Sequence, residues 1–289
     1  MVRVRSRSLD GRTYYYIEHS LRRNGKVKKV EKYIGKEEPG NLDALIREFQ
    51  IEIYEDKWYS TLEKIKRNYK RLHKSMPKSV KEKDAEHFMV NFTYNTQRIE
   101  GSTLTLRETA VLLEKEFTPA SRPLADVKEA ESHKNVFYEM LGYDKDLALH
   151  TVLHWHKMLF GSTKADIAGK FRQHQVGISG SKFVPPMPVE LAAELKDFFK
   201  WYNKSKKNMH PVELAALVHL KFVTIHPFAD GNGRVGRILM NFILNKNRYP
   251  MLDIPYRNRN SYYNALERSQ TKKDDSIFVQ WLFRNYIKE

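Results

Sequence analysis

Twelve consecutive residues, 226–237, combine side chains that suit phosphate chemistry. The run reads HPFADGNGRVGR and holds an imidazole, a carboxylate, three glycines, an asparagine and two arginines. The apolar stretch 238–244 follows it, so the run is predicted to open a helix. Glycines at 231 and 233 let the backbone turn and approach an anion, and the free N–H groups at a helix start favour negative charge. These features predict a phosphate-binding site.

Each ionisable residue of this run has a candidate role. Arg234 and Arg237 are three positions apart on the predicted helix, so they would project from one face and grip successive phosphates. Asp230 is the only carboxylate in the run, and a carboxylate beside phosphates is a natural Mg2+ ligand. His226 precedes the turn and can take a proton near neutral pH. Taken singly, each residue is more often structural, but together at this spacing they favour a site.

The run fits the motif HPFx[D/E]GNGRxxR, so the chain resembles the Fic proteins, which generally transfer AMP from ATP to protein hydroxyls. The resemblance extends from about Phe88 to the C-terminus. It implies that His226 is the catalytic base and that Asp230 holds Mg2+. The residues it implies for binding the phosphates of ATP are Gly231, Asn232, Gly233, Arg234 and Arg237. Those it implies for the adenine pocket are Tyr263 and Asn264.

A second motif lies upstream, where residues 96–101 read TQRIEG. They match the inhibitory pattern [S/T]xxxE[G/N] of the family, on a helix predicted over about 86–101. Glu100 lies near the end of that helix, where the dipole disfavours a carboxylate, so it should seek a cation. The resemblance supplies Arg237, which would then be withheld from the γ-phosphate of ATP. The alternative is a surface ion pair worth about 0–1 kcal/mol.

The one clear interruption of helical periodicity, residues 169–188, predicts a short β-hairpin between helices. It is similar to the flap of Fic proteins, which pairs with an extended target segment and presents its hydroxyl residue. The residues assigned to this target-docking flap are Val176, Gly177, Ile178, Ser179 and Gly180. Pairing through main-chain hydrogen bonds depends on few side chains, so the sequence of the target is not predicted. A loop that merely covers the site is the alternative.

The resemblance implies a protein adenylyltransferase that uses ATP, with Mg2+ as cofactor. Its acceptor would be a Ser, Thr or Tyr hydroxyl of a target protein or of the chain itself. Fic proteins that phosphorylate with ATP lack the GNGR glycine and the second arginine, whereas Gly233 and Arg237 are present here, which favours AMP transfer. De-AMPylation, with Glu100 activating water at the same site, stays open.

Helical periodicity dominates from residue 41 onward. We therefore predict a mainly α fold, a Fic-type helical bundle with a short β-hairpin flap, plus a small N-terminal basic β-hairpin module. The predicted domains are 1–40 for this module, 41–84 for a long helix and connector, and 85–289 for the Fic domain. The apolar stripe of the long helix packs on the body of the protein or forms a dimerising coiled coil, so a homodimer is an open alternative.

The N-terminal segment concentrates positive charge. The formal net charge is +16, and residues 1–36 hold eleven Lys or Arg against three acids. Strand-like segments flank Asn24–Gly25, a strong hairpin turn signal. Such a basic module attracts nucleic acid or other acidic surfaces, so a nucleic-acid-binding regulator is an alternative function. A solvated surface with no single target is equally compatible with the sequence.

Composition and spacing argue against several other kinds of protein. The absence of cysteine excludes disulfides and thiol chemistry. No opening stretch resembles a signal peptide and no apolar run approaches a membrane span, so we expect a cytoplasmic protein without a membrane partner. His150 and His154 have zinc-ligand spacing, but Thr151 stands where the zinc-protease pattern needs Glu. We interpret these histidines, with His156, as ordinary helix residues.

Overall fold

In the computed structural model, which describes residues 2–23 and 26–288, the chain divides into two units, Met1–Lys64 and Ile65–Glu289. The division falls inside a helix, Ser60–Ser75. The domain limits near residues 40 and 84 remain predictions.

The first unit begins with an antiparallel sheet in the order β1-β2-β3. Its strands are β1 (Arg3–Leu9), β2 (Arg12–Arg23) and β3 (Lys26–Gly35). The sequence predicted strand-like segments and a hairpin in this region, and the structure joins three strands in one sheet. The predicted turn at Asn24–Gly25 lies outside the described residues. Because side chains alternate between the two faces of a strand, the completely buried Ile17 marks one face as the inner one.

A long helical segment follows the sheet. It comprises α1 (Leu42–Tyr54), a π-helical turn (Glu55–Tyr59) and α2 (Ser60–Ser75). The π-helical turn is a local widening of the helix and does not end it. Phe49, Ile53 and Leu62 of the apolar stripe are buried, while Leu72 is 53% exposed. A homodimer through this stripe stays a prediction.

The second unit is helical. Its helices after α2 are α3 (Lys78–Ile99), α4 (Leu106–Lys115), α5 (Leu124–Gly142), α6 (Leu149–Phe160), α7 (Leu191–Ser205), α8 (Pro211–Ile225), α9 (Asn232–Lys246), α10 (Arg259–Lys272) and α11 (Ser276–Lys288). Helix α3 already starts at Lys78, inside the segment 41–84 that the sequence predicted as a long helix and connector. Pro77 precedes its first residue, where proline is tolerated because no intrahelical N–H is needed there.

Helices α8 and α9 form the centre of this unit and pack against each other. Nearly every side chain of both helices is buried, since α8 also contacts α7 and α11 while α9 contacts α3, α5 and α6. A helix whose side chains are buried on nearly all sides needs such a surrounding. The short loop 226–231 between them is therefore held at both ends, and the run 226–237 consists of this loop and the first turns of α9.

The predicted flap hairpin is wrong in its secondary structure. Residues 169–187 contain no strand in the described chain. Arg172 explains part of this, because its guanidinium binds the carbonyls of His174 and Pro186, 3.2 and 2.5 Å away. Carbonyls bound to a side chain are not available to a hairpin ladder, and Pro185–Pro186 adds two residues without N–H donors.

No helix of the described residues is long and apolar enough to cross a membrane.

Candidate active site between α8 and α9

The loop between α8 and α9 turns sharply at two residues. His226 caps α8 with a left-handed backbone, φ +53°, and Gly231 starts α9 with φ +83°. A Cβ at Gly231 would overlap the ring of Phe160, at the end of α6. Glycine is required here both for its backbone conformation and for this close approach.

Asn232 shapes the loop from inside. Its buried side chain accepts from the backbone N–H of Phe228 over 2.9 Å and donates to the Phe228 carbonyl over 2.8 Å. The carboxamide is thus used within the loop, and any contact of Asn232 with a phosphate would come from its backbone N–H at the start of α9.

The imidazole of His226 is held in the tautomer of a base. Its Nδ1 lies 3.1 Å from the carbonyl of Val223, so Nδ1 carries the proton and donates it. The lone pair is therefore on Nε2. Burial lowers the pKa of His226, which keeps the ring neutral at neutral pH. A neutral imidazole with a free acceptor nitrogen is suited to remove a proton from a hydroxyl.

Arg172 fixes the backbone of His226 and was not foreseen from the sequence. Its Nε donates to the His226 carbonyl over 2.8 Å, and its backbone N–H donates to the Pro227 carbonyl over 3.0 Å. The side chain is 4% exposed. One buried guanidinium thus links the backbone of His226 to the carbonyls of His174 and Pro186.

Glu100 and Arg237 form an ion pair across the start of α9. Arg237 Nη2 lies 2.6 Å from Glu100 Oε1, with side chains 1% and 25% exposed. Thr96 and Tyr262 complete the surroundings of the guanidinium: it donates to the Thr96 carbonyl and hydroxyl and to the Tyr262 hydroxyl, over 3.2 to 3.3 Å. Although burial opposes the charge, Tyr262 and Glu100 raise the pKa of Arg237, so it stays a cation.

The carboxylate of Glu100 lies over the first turn of α9. α3 ends at Ile99, and Gly101, at φ +100°, turns the chain away after the cap residue Glu100. A Cβ at Gly233 would overlap Glu100 Oε1. The carboxylate therefore occupies the place where the N–H groups and dipole of α9 favour an anion.

A second ionic network surrounds Asp230. Arg234 Nη2 donates to Asp230 Oδ1 over 3.0 Å, and its Nη1 binds Glu129. Lys164 Nζ lies 2.6 Å from Asp230 Oδ2 and 3.0 Å from Glu129 Oε1. Against the effect of burial, Arg234 and then Lys164 lower the pKa of Asp230 to about 2. Asp230 is therefore a permanent carboxylate, but its oxygens already have cationic partners.

These residues fit Mg2+ bound mainly through a nucleotide. Among the described residues no group of three or more His, Cys, Asp or Glu could hold a metal alone. Mg2+ usually keeps several waters and is bound by one or two carboxylates together with substrate phosphates. Asp230, 38% exposed and ionised, supplies one such carboxylate. Lys164 would have to leave Asp230 Oδ2 for the ion to bind there.

His156 supports the loop from α6. Its Nδ1 accepts from the N–H of Gly169 over 2.8 Å, so Nε2 carries the proton and donates to the Asp230 carbonyl over 3.0 Å. The ring stacks on Phe228 with centroids 3.7 Å apart. Burial lowers the pKa of His156 to about 4. This histidine was interpreted as an ordinary helix residue, whereas the structure makes it part of the frame of the site.

The adenine candidates lie on α10 and differ in their contacts. Tyr263 is 43% exposed, and its hydroxyl donates to the Ile99 carbonyl over 3.0 Å, next to Glu100. Asn264 is exposed on the same helix, and its side chain has no hydrogen bond to a described residue. The structure thus brings Tyr263, but not Asn264, into contact with the end of α3.

The flap residues 176–180 lie on the segment that Arg172 anchors. A turn closes at their end, where the N–H of Ser181 donates to the Ile178 carbonyl over 3.0 Å, and Lys182 N–H donates to Glu267 of α10 over 3.0 Å. In the described chain, the backbone groups of Val176 and Gly177 have no hydrogen-bond partner. They are thus available to an added strand.

Comparison with known proteins agrees with this geometry. The Fic/DOC family matches residues 146–244, a range that contains the whole run 226–237. The chain contains a Fic domain. Upstream of this match, α3 brings Glu100 to the Fic domain, and α5 brings Glu129.

Relatives extend the similarity beyond the Fic domain. The chain is 36% identical over 203 residues to a protein adenylyltransferase Fic of Drosophila yakuba, covering 65% of this chain and 38% of the relative. A protein of that name from Drosophila mojavensis is 31% identical over 262 residues, covering 84% and 49%. The chain thus spans less than half the length of these curated relatives.

Two solved structures share the architecture. A Fic domain containing signaling protein from Bacteroides thetaiotaomicron superposes with a TM-score of 0.71 at 27% identity, covering 79% of this chain and 93% of that one. Fic-1 of C. elegans, residues 134–508, superposes with a TM-score of 0.70 at 25% identity, covering 87% and 76%. The predicted Fic-type helical fold is confirmed.

Proposed function

We propose that this chain is a protein adenylyltransferase, which transfers AMP from ATP to a Ser, Thr or Tyr hydroxyl of a target protein. One observation carries the proposal: the start of α9 already holds an anion, the Glu100 carboxylate, bound to Arg237 over 2.6 Å. A site that binds a carboxylate in this way suits a phosphate. The relatives named protein adenylyltransferase Fic support the same activity.

In the proposed reaction the hydroxyl oxygen of the target attacks the α-phosphorus of ATP. A bond forms between that oxygen and the phosphorus, the bond from the phosphorus to the bridging oxygen of the β-phosphate breaks, and pyrophosphate leaves. His226 Nε2 takes the hydroxyl proton, since Nδ1 is already protonated and bound to Val223. The product is a phosphodiester between AMP and the target side chain.

The other residues of the run position and neutralise the triphosphate, which is most of what phosphoryl-type transfer requires. The backbone at Gly231, Asn232 and Gly233 would bind phosphate oxygens at the start of α9. Arg234 would contact the β-phosphate and Arg237 the γ-phosphate, once Glu100 has left. Asp230 would hold Mg2+, which supplies charge neutralisation at the α- and β-phosphates when bound. Tyr263 and Asn264 are the residues proposed for adenine.

Glu100 is proposed to inhibit this reaction. Its carboxylate occupies the first turn of α9 and withholds Arg237, the residue proposed for the γ-phosphate. A nucleotide that binds without this contact would lie in a misaligned pose, and transfer rates are sensitive to such displacements. The proposed relief is the departure of Glu100, which costs the buried Arg237 its only carboxylate partner among the described residues.

The target is proposed to dock on the flap. The unpaired backbone groups of Val176 and Gly177 would accept a strand of the target, with Ile178, Ser179 and Gly180 forming the turn beside it. Such pairing depends on main-chain hydrogen bonds and reads few side chains. The chain itself is one candidate target.

Mass spectrometry of the intact protein after incubation with ATP and Mg2+ tests this proposal. We expect little added AMP on the wild type and extensive labelling of Glu100→Gly. Glu116→Gly is the matched control, because Glu116 is exposed and has a left-handed backbone that suits glycine; it should behave as the wild type.

Two further outcomes test the roles of His226 and Glu100. We expect no added AMP on His226→Ala in the Glu100→Gly background, and residual label there would contradict the assignment of His226 as the base. A folded Glu100→Gly protein without label, tested also with candidate targets, would contradict the proposed inhibition.

De-AMPylation at the same site is the second candidate. It is favoured by the second oxygen of Glu100: only Oε1 is bound to Arg237, and Oε2 has no partner among the described residues. Oε2 would take a proton from water as the water oxygen attacks the phosphorus, and the bond from the phosphorus to the target oxygen would break. That oxygen would take a proton from Nε2 of His226 in its imidazolium form, and AMP would be released. Release of AMP from a modified target by the wild type, but not by Glu100→Gln, would support this activity.

A further inference from the structure

The outer face of the N-terminal sheet combines tyrosines with arginines. Strand register and the alternation of side chains place them on one side of the sheet. We name this surface the Tyr–Arg face and define it by Arg3, Arg5, Arg7, Tyr14, Tyr16 and Tyr33. It plays no part in the proposed adenylyl transfer.

Within its unit this face is open to solvent. The opposite face carries the completely buried Ile17, and Lys32, paired with Ile17, donates from that face to Glu52 of α1 over 2.6 Å. Helix α1 therefore lies on the Ile17 side. On the Tyr–Arg face, Tyr33 is 50% exposed. A large aromatic side chain this exposed in a sheet is available to a ligand.

The tyrosine rings lie next to one another with tilted planes. The ring of Tyr33 lies 5.4 Å from that of Tyr16 at an interplanar angle of 57°, and 6.2 Å from that of Tyr14 at 49°, between centroids. The guanidinium of Arg7 lies over the Tyr16 ring, 4.6 Å from its centroid. The exposed Tyr33 ring is therefore the surface of this cluster on which a base can stack.

The charge of the face is positive after its acids are counted. Its two carboxylates are already paired: Glu18 with Arg5 and Lys29, and Glu31 with Arg7 over 2.5 Å. Arg3 also lies on this face and has no carboxylate partner in the described part of the chain. Arg3 therefore offers a guanidinium that suits a phosphate, while Arg5 and Arg7 could bind phosphates by exchanging their carboxylate partners.

We propose that the Tyr–Arg face binds single-stranded nucleic acid, with bases stacked on the tyrosines and phosphates bound by the arginines. Aromatic side chains beside a basic surface are the usual means of binding single strands. A duplex buries its base faces, so it could use the arginines but not the exposed Tyr33 ring. An acidic polypeptide would likewise use the charge alone.

Fluorescence anisotropy with the full-length chain tests this. The probes are a labelled thymidine oligonucleotide of about twenty nucleotides and a duplex of the same length, each titrated at low and moderate salt. We expect the single strand to bind more tightly than the duplex and to weaken steeply as salt rises.

Variants distinguish the contribution of base stacking to the affinity from that of charge. Tyr33→Ala should weaken single-strand binding at least about fivefold, because one stacked base is lost, whereas Tyr33→Phe keeps the ring and the affinity. Arg3→Ala should reduce the logarithmic salt slope by about one. Tyr138→Ala, at a tyrosine 41% exposed on α5, is the matched control and should bind as the wild type.

Three outcomes would overturn the proposal. The first is the absence of salt-dependent binding of the single strand, and the second is an unchanged affinity of Tyr33→Ala. The third is binding of the duplex, or competition by polyglutamate, as strong as that of the single strand, which would assign the face to general charge attraction. Tyr33→Phe and Arg3→Ala keep the test valid if Tyr33→Ala does not fold. The Glu100→Gly and His226→Ala proteins should bind the oligonucleotide as the wild type, so this test is independent of adenylyl transfer.

Discussion

Gly233 lies directly beneath the Glu100 carboxylate, with no room between them for a methyl group. The two residues are far apart in the chain. The Glu100 carboxylate can occupy its position only because residue 233 has no side chain. Glycine at 233 thus allows the Glu100–Arg237 pair to form. This relationship gives a test of that pair, and so of the proposed inhibition, that does not depend on catalysis.

The effect of Gly233→Ala on the free energy of unfolding should have opposite signs in the wild type and in Glu100→Gly. In the wild type the new methyl group collides with Glu100, and we expect a loss of about 1–3 kcal/mol in the free energy of unfolding. In Glu100→Gly the collision is gone, and the better helix propensity of alanine should make the change neutral or stabilising by up to about 1 kcal/mol. Chemical denaturation of the four proteins measures this coupling.

Gly142→Ala is the control for that cycle, because a Cβ at Gly142 meets nothing within 4 Å. Its effect should be the same in both backgrounds. Additive effects of Gly233→Ala and Glu100→Gly would contradict the close approach.

The pH dependence of transfer reports His226. Because burial lowers its pKa, the base should already be neutral below the ordinary histidine value of about 6.5. In the Glu100→Gly protein, kcat/KM should rise with pH, reach half its maximum below about 6.5 and stay flat through pH 8. Asp230, whose pKa is about 2, does not titrate in this window. A midpoint above 6.5 would contradict the assigned base.

The same pKa shift affects stability. Below about pH 6.5 the unfolded chain takes up a proton that the buried imidazole resists, so the contribution of His226 to stability decreases as pH falls. His226→Gln should lessen the acid sensitivity of the unfolding free energy.

Lys164→Met should strengthen the binding of a divalent cation to the nucleotide-free protein. The ammonium lies 2.6 Å from Asp230 Oδ2 and 3.0 Å from Glu129 Oε1, and its removal leaves two carboxylates without that counter-charge. We expect Mn2+, used as a paramagnetic probe for Mg2+, to bind at least about fivefold more tightly by electron paramagnetic resonance. Lys157→Met, at an exposed lysine of α6, is the matched control. Equal affinities in all three proteins would show that Lys164 does not compete with the metal.

Arg172→Lys should impair turnover more than ATP binding. Lysine keeps the charge but loses the planar group that binds the carbonyls of His226 and Pro186 together. We expect kcat in the Glu100→Gly background to fall about ten- to a hundredfold, since the imidazole loses its fixed position, while KM for ATP changes little. Lys170→Met, at an exposed neighbour, is the control. A change confined to KM would assign Arg172 to the substrate instead.

Much of the site could be predicted because its motif is local. The run 226–237 is a turn followed by a helix, and both properties follow from neighbouring residues. Glu100 could be predicted for the same reason, at a helix end before Gly101. The pairing of Glu100 with Arg237 required the family resemblance, because nothing in the spacing of 137 residues indicates it.

The supporting residues could not be found in this way. Lys164 and Glu129 reach the site from positions 66 and 105 residues away from their partners Asp230 and Arg234. No local pattern distinguishes such residues from solvated ones. The predicted flap hairpin failed for a related reason, since the buried Arg172 takes up backbone carbonyls that a hairpin would need.

The hydrogen bond from Tyr263 to the carbonyl of Ile99 has a thermodynamic implication. It joins α10 to the last residue before Glu100, so we expect displacement of the Tyr263 hydroxyl and departure of the Glu100 carboxylate to be coupled. Linkage is reciprocal: a ligand that binds more tightly by a given factor once the carboxylate has left favours that departure by the same factor. A ligand inserted beside the Tyr263 ring would therefore do part of the work of displacing Glu100 from the start of α9.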